Sequence, residues 1–174
     1  EAILSNYFAE AKPIIYSENA NIEIHNIEIS NGNPLLRLVG GTALLDNTHL
    51  NNSPFISTLG IYAEDTVLTI SNSIYDGGYN EESVTGIYVQ ESQLDIINST
   101  FSNLNSGFSS VFGIVSSTLS ISDNTQFYEN DSALGTIYAL NSMVTCEGTT
   151  EDNTGVFDNS SDWVSGVHLN DSAF

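Results

Sequence analysis

The feature that most constrains this chain is a repeat. Paired core-type positions one residue apart recur as Ile22/Ile24, Thr42/Leu44, Leu68/Ile70, Leu94/Ile96, Leu119/Ile121 and Val144/Cys146. Their second members stand 20, 26, 26, 25 and 25 residues apart. A second pattern runs IIYSEN at 14–19, LLRLVGG at 35–41, GIYAED at 60–65, GIYVQES at 86–92, GIVSS at 113–117, TIYALNS at 136–142 and GVHLNDS at 166–172. Its inward candidates are Ile15, Leu36, Ile61, Ile87, Ile114, Ile137 and Val167. From each of the first six, the step to the second member of the next pair is 9, 8, 9, 9, 7 and 9 residues, whereas the return step varies from 12 to 21. Each unit therefore has one tight corner and one variable side, and the variable side is where a repeat protein carries its particular contacts.

Within each segment the apolar residues alternate, which sends successive side chains to opposite faces of a strand. No window carries the i, i+3, i+4, i+7 stripe of an amphipathic helix, and Asn, Gly and Ser interrupt every segment after four to six residues. Short strands with corners at fixed places stack in register, about 4.8 Å apart, into parallel sheets along one axis. The expected fold is all-β: a right-handed parallel β-helix, or β-solenoid, of about seven coils of roughly 25 residues, with residues 1–174 as one segment of a longer array. In this scheme Cys146 lies on a buried column, and Asn47, Asn72, Asn98 and Asn124 occupy corners, where Asn tolerates left-handed backbone geometry.

Charge narrows the partners. The chain holds 22 acidic residues against two basic ones, Lys12 and Arg37, for a formal net charge of -20. Without a basic stripe it has nothing to displace counterions from phosphates, so nucleic acid is excluded as a partner. Disorder is excluded as well, because 40% of residues are hydrophobic. No run approaches the roughly 18 apolar residues that would mark a membrane span, so no insertion is expected in this segment, and residues 1–20 do not read as a signal peptide. Any targeting segment is expected outside this chain. The single cysteine gives no disulfide framework.

The repeated xLxIxxN and GIYA segments, with one FxxN-like copy at Phe127–Asn130 and a GGTAL at Gly40–Leu44, resemble the pectin-lyase-like β-helix superfamily. Within it, they are similar to repeat-rich surface proteins of the polymorphic outer-membrane type. The resemblance covers nearly the whole chain and implies the fold far more than any activity. Enzymes of that superfamily use Arg or Lys with Ca²⁺, or clustered NxD, DD, GHG and RxK motifs. None of those four motifs occurs here, and Arg37 and Lys12 are the only basic candidates. The acidic pairs Glu64-Asp65, Glu81-Glu82 and Glu151-Asp152 read as solvated surface. No catalytic residue is assigned, and the chain is read as no enzyme.

Two non-catalytic functions follow. The first is a structural or adhesive segment of a cell-surface or filament protein, associating end to end or with neighbouring coils of the same chain. Residues 1–6 offer no clear polar cap, and Asp171–Phe174 stops where another strand is expected, which fits a fragment or a stacking subunit. The second is a glycan- or protein-binding module. Alternation turns Tyr16, Arg37, Tyr62, Tyr88, Val115, Tyr138 and His168 outward, so Tyr16, Tyr62, Tyr88 and Tyr138 form a candidate ligand-binding ladder.

Five N-x-S/T sequons, at Asn51, Asn98, Asn130, Asn159 and Asn170, are candidate glycosylation sites and favour an extracellular or cell-surface setting. No cofactor is assigned. Abundant carboxylates could hold Ca²⁺, although neither an EF-hand loop nor a GGxGxD repeat is present. His25, His49 and His168 fall at different coil positions, so no metal site is assigned to them.

Overall fold

The computed structural model describes residues 2–5, 12–51, 59–81, 83–147, 155–156, 159–161 and 166–174. Every strand pairing among them is parallel and none of them is helical, so the chain is a parallel β-solenoid of stacked coils. Each coil passes through three strand rows. The first two rows share one ten-stranded sheet and the third forms a nine-stranded sheet. In the early coils the first and second rows run on as single strands, Ile15–His25, Leu36–Asp46 and Ile61–Ser71, whereas later coils break them into pairs such as Ile87–Gln90 and Gln93–Ile97.

The first row steps through Ile15, Leu36, Ile61, Ile87, Phe112, Ile137 and Val167. The stack makes about five turns rather than seven. Counting each recurrence of the Ile-Tyr segment as a coil overstates the number, because a turn is the interval between two recurrences. The last interval, which ends at Val167, also includes residues outside the described set.

Two registers differ from the sequence expectation. In the second row Ile22 pairs with Ala43 and Ile24 with Leu45, so the inward pair is Ala43/Leu45 and not Thr42/Leu44. Ala43 and Leu45 are buried while Thr42 is exposed, and a one-residue slip would exchange them. In the first row Ile87 and Ile137 pair with Phe112, two residues before Ile114. With these registers the step from first row to second is nine residues in every coil: Ile15–Ile24, Leu36–Leu45, Ile61–Ile70, Ile87–Ile96, Phe112–Ile121 and Ile137–Cys146.

The third row fills the middle of the stack. Ile29, Leu50, Tyr75, Phe101 and Phe127 lie above one another, all essentially inaccessible to solvent. Phe101 and Phe127 stack with centroids 4.9 Å apart, and Phe112 meets both edge-on at 5.0 and 5.1 Å. Burying such side chains contributes roughly 1.5–3 kcal/mol each. Cys146 departs from the expected burial and is exposed. Its strand, Met143–Glu147, pairs fully with Thr118–Ser122 on one side, and on the other side, among the described residues, it meets a single bridge, Met143 to Ala173. Apolar neighbours still surround the sulfur enough to push its thiol pKa up.

The corners repeat their chemistry as regularly as the core. The corner between first and second rows holds a left-handed residue in each coil: Asn19, Gly40, Asp65, Glu91, Ser116, Asn141 and Asp171. The corner between second and third rows holds Asn26, Asn47, Asn72, Asn98 and Asn124, also left-handed, as expected of the four asparagines singled out from the sequence. From Asp65 onward at the first corner and from Asn47 onward at the second, a hydroxyl stands just past the corner and links adjacent coils, whereas the earliest coils carry Ala20, Gly41 and Ile27 there. The backbone N–H groups of Thr66, Ser92, Ser117 and Ser142 donate to the hydroxyls of Ser92, Ser117, Ser142 and Ser172 at 2.9–3.1 Å. Thr48, Ser73 and Ser99 donate in the same way to Ser73, Ser99 and Thr125. These two ladders satisfy backbone donors that the corners would otherwise leave buried and unpaired.

Candidate functional site: an outward aromatic row

Alternation fixes the outward row of the first sheet face. Beside the inward residues it reads Tyr16, Arg37, Tyr62, Tyr88, Gly113, Tyr138 and His168, each paired in register with the next. All four tyrosines proposed from the sequence therefore share one face, with His168 and Arg37 among them. Val115 does not belong to the row: it pairs with Gln90 and Leu140, and Gly113 takes the place expected for it.

Each hydroxyl in the early coils is held by its own strand. Tyr16 donates to Glu18 and Tyr62 to Glu64, both at 2.9 Å, and Tyr88 reaches Gln90 at 3.5 Å. The unit is Tyr-x-Glu/Gln, because residues two apart lie on the same strand face. In the later coils Tyr138 accepts from the Asn170 amide at 3.2 Å and meets His168 edge-on. The hydrogen bond to Glu18 is the main cause that raises the Tyr16 pKa above its usual value, whereas for Tyr62 burial comes first and Glu64 second.

The ring faces are engaged along the axis. Tyr62 and Tyr88 stack with centroids 5.7 Å apart and planes 17° from parallel. The Arg37 guanidinium carbon sits 5.1 Å from the Tyr62 ring centroid. Beyond Tyr88 the row has no side chain at Gly113, and Val84, from the segment leading into strand Ile87–Gln90, closes the gap. A methyl group added at Gly113 would lie 2.8 Å from Val84 Cγ2 and 2.9 Å from Tyr88 Cδ2. Arg37, Tyr62 and Tyr88 thus engage one another along the row, and Val84 fills the space where a Gly113 side chain would stand.

The sequons divide by environment. Asn130 is buried, accepts from the Leu104 N–H at 3.1 Å and donates to the Phe101 carbonyl at 3.0 Å. Asn159 repeats the arrangement, accepting from the Asn130 N–H and donating to the Phe127 carbonyl. Asn98 is on the surface, where its amide donates to Asn72 at 2.8 Å, and Asn170 is also exposed. Asn51 closes the strand His49–Asn51 and is half-buried.

One surface cluster carries no signal in the spacing of its residues. His25 Nδ1 lies 3.4 Å from Asp46 and Nε2 lies 3.4 Å from Glu23, long for hydrogen bonds. Asp46 also accepts from Ser71 Oγ and Asn72 Nδ2, both at 2.8 Å, and Asp76 accepts likewise from Ser102 and Asn103 one coil on. Asn72 first and Ser71 second hold the Asp46 carboxyl below its usual pKa. Among the described residues no group of three or more His, Cys, Asp or Glu side chains converges as metal ligands would. Glu82 and the Glu151-Asp152 pair lie outside the described residues.

No protein-family model, curated protein or solved structure matches this chain. The likeness to pectin-lyase-like and polymorphic outer-membrane-type repeats rests on the quoted motifs, and the parallel solenoid is as far as it is carried by the structure.

Proposed function

We propose that this chain is a non-catalytic structural or adhesive β-solenoid segment of an extracellular, cell-surface or filament protein. The observation that carries the reading is the direction in which its polar groups are engaged. Corner hydroxyls, corner amides and the carboxylates of Asp46 and Asp76 all bond to the equivalent coil above or below. Interactions repeated along one axis stiffen a stack in which each coil contacts only its neighbours, which is what a spacer or stalk requires. The motif resemblance to surface repeat proteins supports the same reading, as do sequons on exposed Asn98 and Asn170. Electron microscopy of the native, full-length material tests it. Extended rods or filaments are expected, and compact isolated particles would overturn it.

The second reading, a glycan- or protein-binding face on the tyrosine row, is favoured by the placement of Tyr16, Tyr62, Tyr88 and Tyr138 on one outward face. Sugar stacking needs a free ring face, and Tyr62 and Tyr88 turn theirs toward each other. A glycan array comparing the native chain with Tyr62→Ala/Tyr88→Ala decides it: sugar binding lost in the variant would favour a platform, and equal binding or none would remove it.

A further inference from the structure

In the middle of the outward row two phenols are placed to react with each other. Register pairing sets Tyr62 beside Tyr88 and, two residues on, Glu64 beside Gln90. Each phenol leans along its own strand toward that second residue, so the rings share one direction, with hydroxyl end beside hydroxyl end and the ortho carbons of one next to those of the other. Their centroids are 5.7 Å apart and their planes 17° from parallel. Among the described residues this is the one register pair of two tyrosines. Tyr16 faces Arg37, Tyr79 faces Asn105, and Tyr138 lies between Gly113 and His168. Tyr75 and Tyr128 in the third row have no tyrosine beside them.

The neighbours favour a coupled loss of electron and proton. Both rings are half-buried on the outer face, so an edge of each meets solvent. The Arg37 guanidinium carbon sits 5.1 Å from the Tyr62 centroid, and its charge opposes a positive charge left on that ring. An electron leaving Tyr62 must therefore be matched by its phenolic proton, and Glu64, which accepts the Tyr62 hydroxyl at 2.9 Å, is the base in place to take it. With Arg37 behind Tyr62 and Val84 beyond Tyr88, the pair is held from both sides.

We propose that Tyr62 and Tyr88 are a site of oxidative cross-linking, joined into a dityrosine that ties two successive coils. The co-reactant is hydrogen peroxide used by a haem peroxidase. Each ring gives up one electron and its phenolic proton, and the two phenoxyl radicals combine through one ortho carbon each. The ortho hydrogens then shift to the oxygens and restore both hydroxyls. A carbon–carbon bond is formed, the chain loses two hydrogen atoms, and one peroxide, its O–O bond broken, leaves as two waters. Such a bond restrains the unfolded chain as a disulfide does. A covalent tie between coils would suit a stalk, but the site goes beyond that reading and does not rest on it.

The test oxidises the full chain with a haem peroxidase and limiting hydrogen peroxide, dilute enough to disfavour coupling between molecules, and isolates the monomer. Tyr62→Phe and Tyr88→Phe are compared with the native chain and with Tyr138→Phe as control. Phenylalanine keeps each ring, and thermal melts establish that the fold is retained. The native and Tyr138→Phe monomers are expected to gain dityrosine fluorescence and to lose the mass of two hydrogens. Cleavage after acidic residues should then release a linked pair of peptides carrying Tyr62 and Tyr88. Tyr62→Phe and Tyr88→Phe should each abolish the product. A native monomer without dityrosine, a product that survives either of these Phe variants, or coupling found only between chains would overturn the proposal. Rods seen by microscopy without the cross-link would overturn this inference alone, and a cross-link formed in compact particles would remove only the stalk reading.

Discussion

Tyr62 and Tyr88, one coil apart, stack with centroids 5.7 Å apart and planes 17° from parallel, while their hydroxyls turn to Glu64 and Gln90 on their own strands. The contact ties two coils together on the outside of the sheet, where no core residue reaches. A double-mutant cycle with Tyr62→Ala and Tyr88→Ala, followed by chemical denaturation, should give a coupling of about 0.5–1.5 kcal/mol. Additive losses would mean that the rings merely share a face.

Gly113 interrupts that row because Val84 and the Tyr88 ring already occupy its side-chain volume. Gly113→Ala should therefore destabilise by about 1–3 kcal/mol, the usual cost of overpacking. Gly166, with nothing within 4 Å of an added methyl group, is the control and should tolerate Ala with little loss. The two melting temperatures check this, and equal shifts would argue against Val84 as the plug.

Most of the core was legible before the structure, and the two misread registers left a trace in the spacing. Steps of 9, 9, 9 and 9 surrounded an 8 and a 7, and those two outliers are the Thr42/Leu44 and Ile114 assignments. The first arose because Leu44 and Leu45 are equally apolar, so alternation alone could not choose between them. The second arose because Ile114 follows a glycine, as Ile61 and Ile87 do, whereas the true equivalent is an aromatic residue, Phe112. The outward site was only partly legible. Tyr-x-Glu spacing was present in the sequence, but the plug at Gly113 depends on where the segment before Ile87 returns to the stack. The His25–Asp46 approach depends likewise on a coil of 21 residues bringing these two into register.

Asn130 and Asn98 carry the same sequon but different structural duties. Asn130 is buried, and its amide joins the Leu104 N–H to the Phe101 carbonyl; Asn98 lies on the surface and bonds Asn72. Asn130→Ala leaves a buried donor and a buried acceptor without partners, each costing about 1–3 kcal/mol, so a loss of at least 2 kcal/mol is expected. Asn98→Ala should lose less, because water replaces the missing amide and the left-handed backbone supplies the main cost. Intact-mass analysis of chain secreted from a eukaryotic host should find the folded fraction without glycan at Asn130. A folded, glycosylated Asn130 would contradict its buried geometry.

Asp46 gives the stack a dependence on acid. Its carboxylate accepts from Asn72 and Ser71 of the next coil, and these bonds hold its pKa below the ordinary 3.8. A depressed folded pKa means that the native state resists protonation, so the contribution is present above 3.8 and is lost as pH falls through the lower, folded value. His25 adds a second attraction once it is protonated, but its ring nitrogen is 3.4 Å from Asp46, too long to replace the two bonds at 2.8 Å. Asp46→Asn keeps an oxygen acceptor and removes the charge. The native chain should therefore melt above the variant at neutral pH, and the gap should close as the pH is taken below 3.8. A gap that stays constant across that range would show that the ladder gains nothing from the charge and depends on Asp46 only as a hydrogen-bond acceptor.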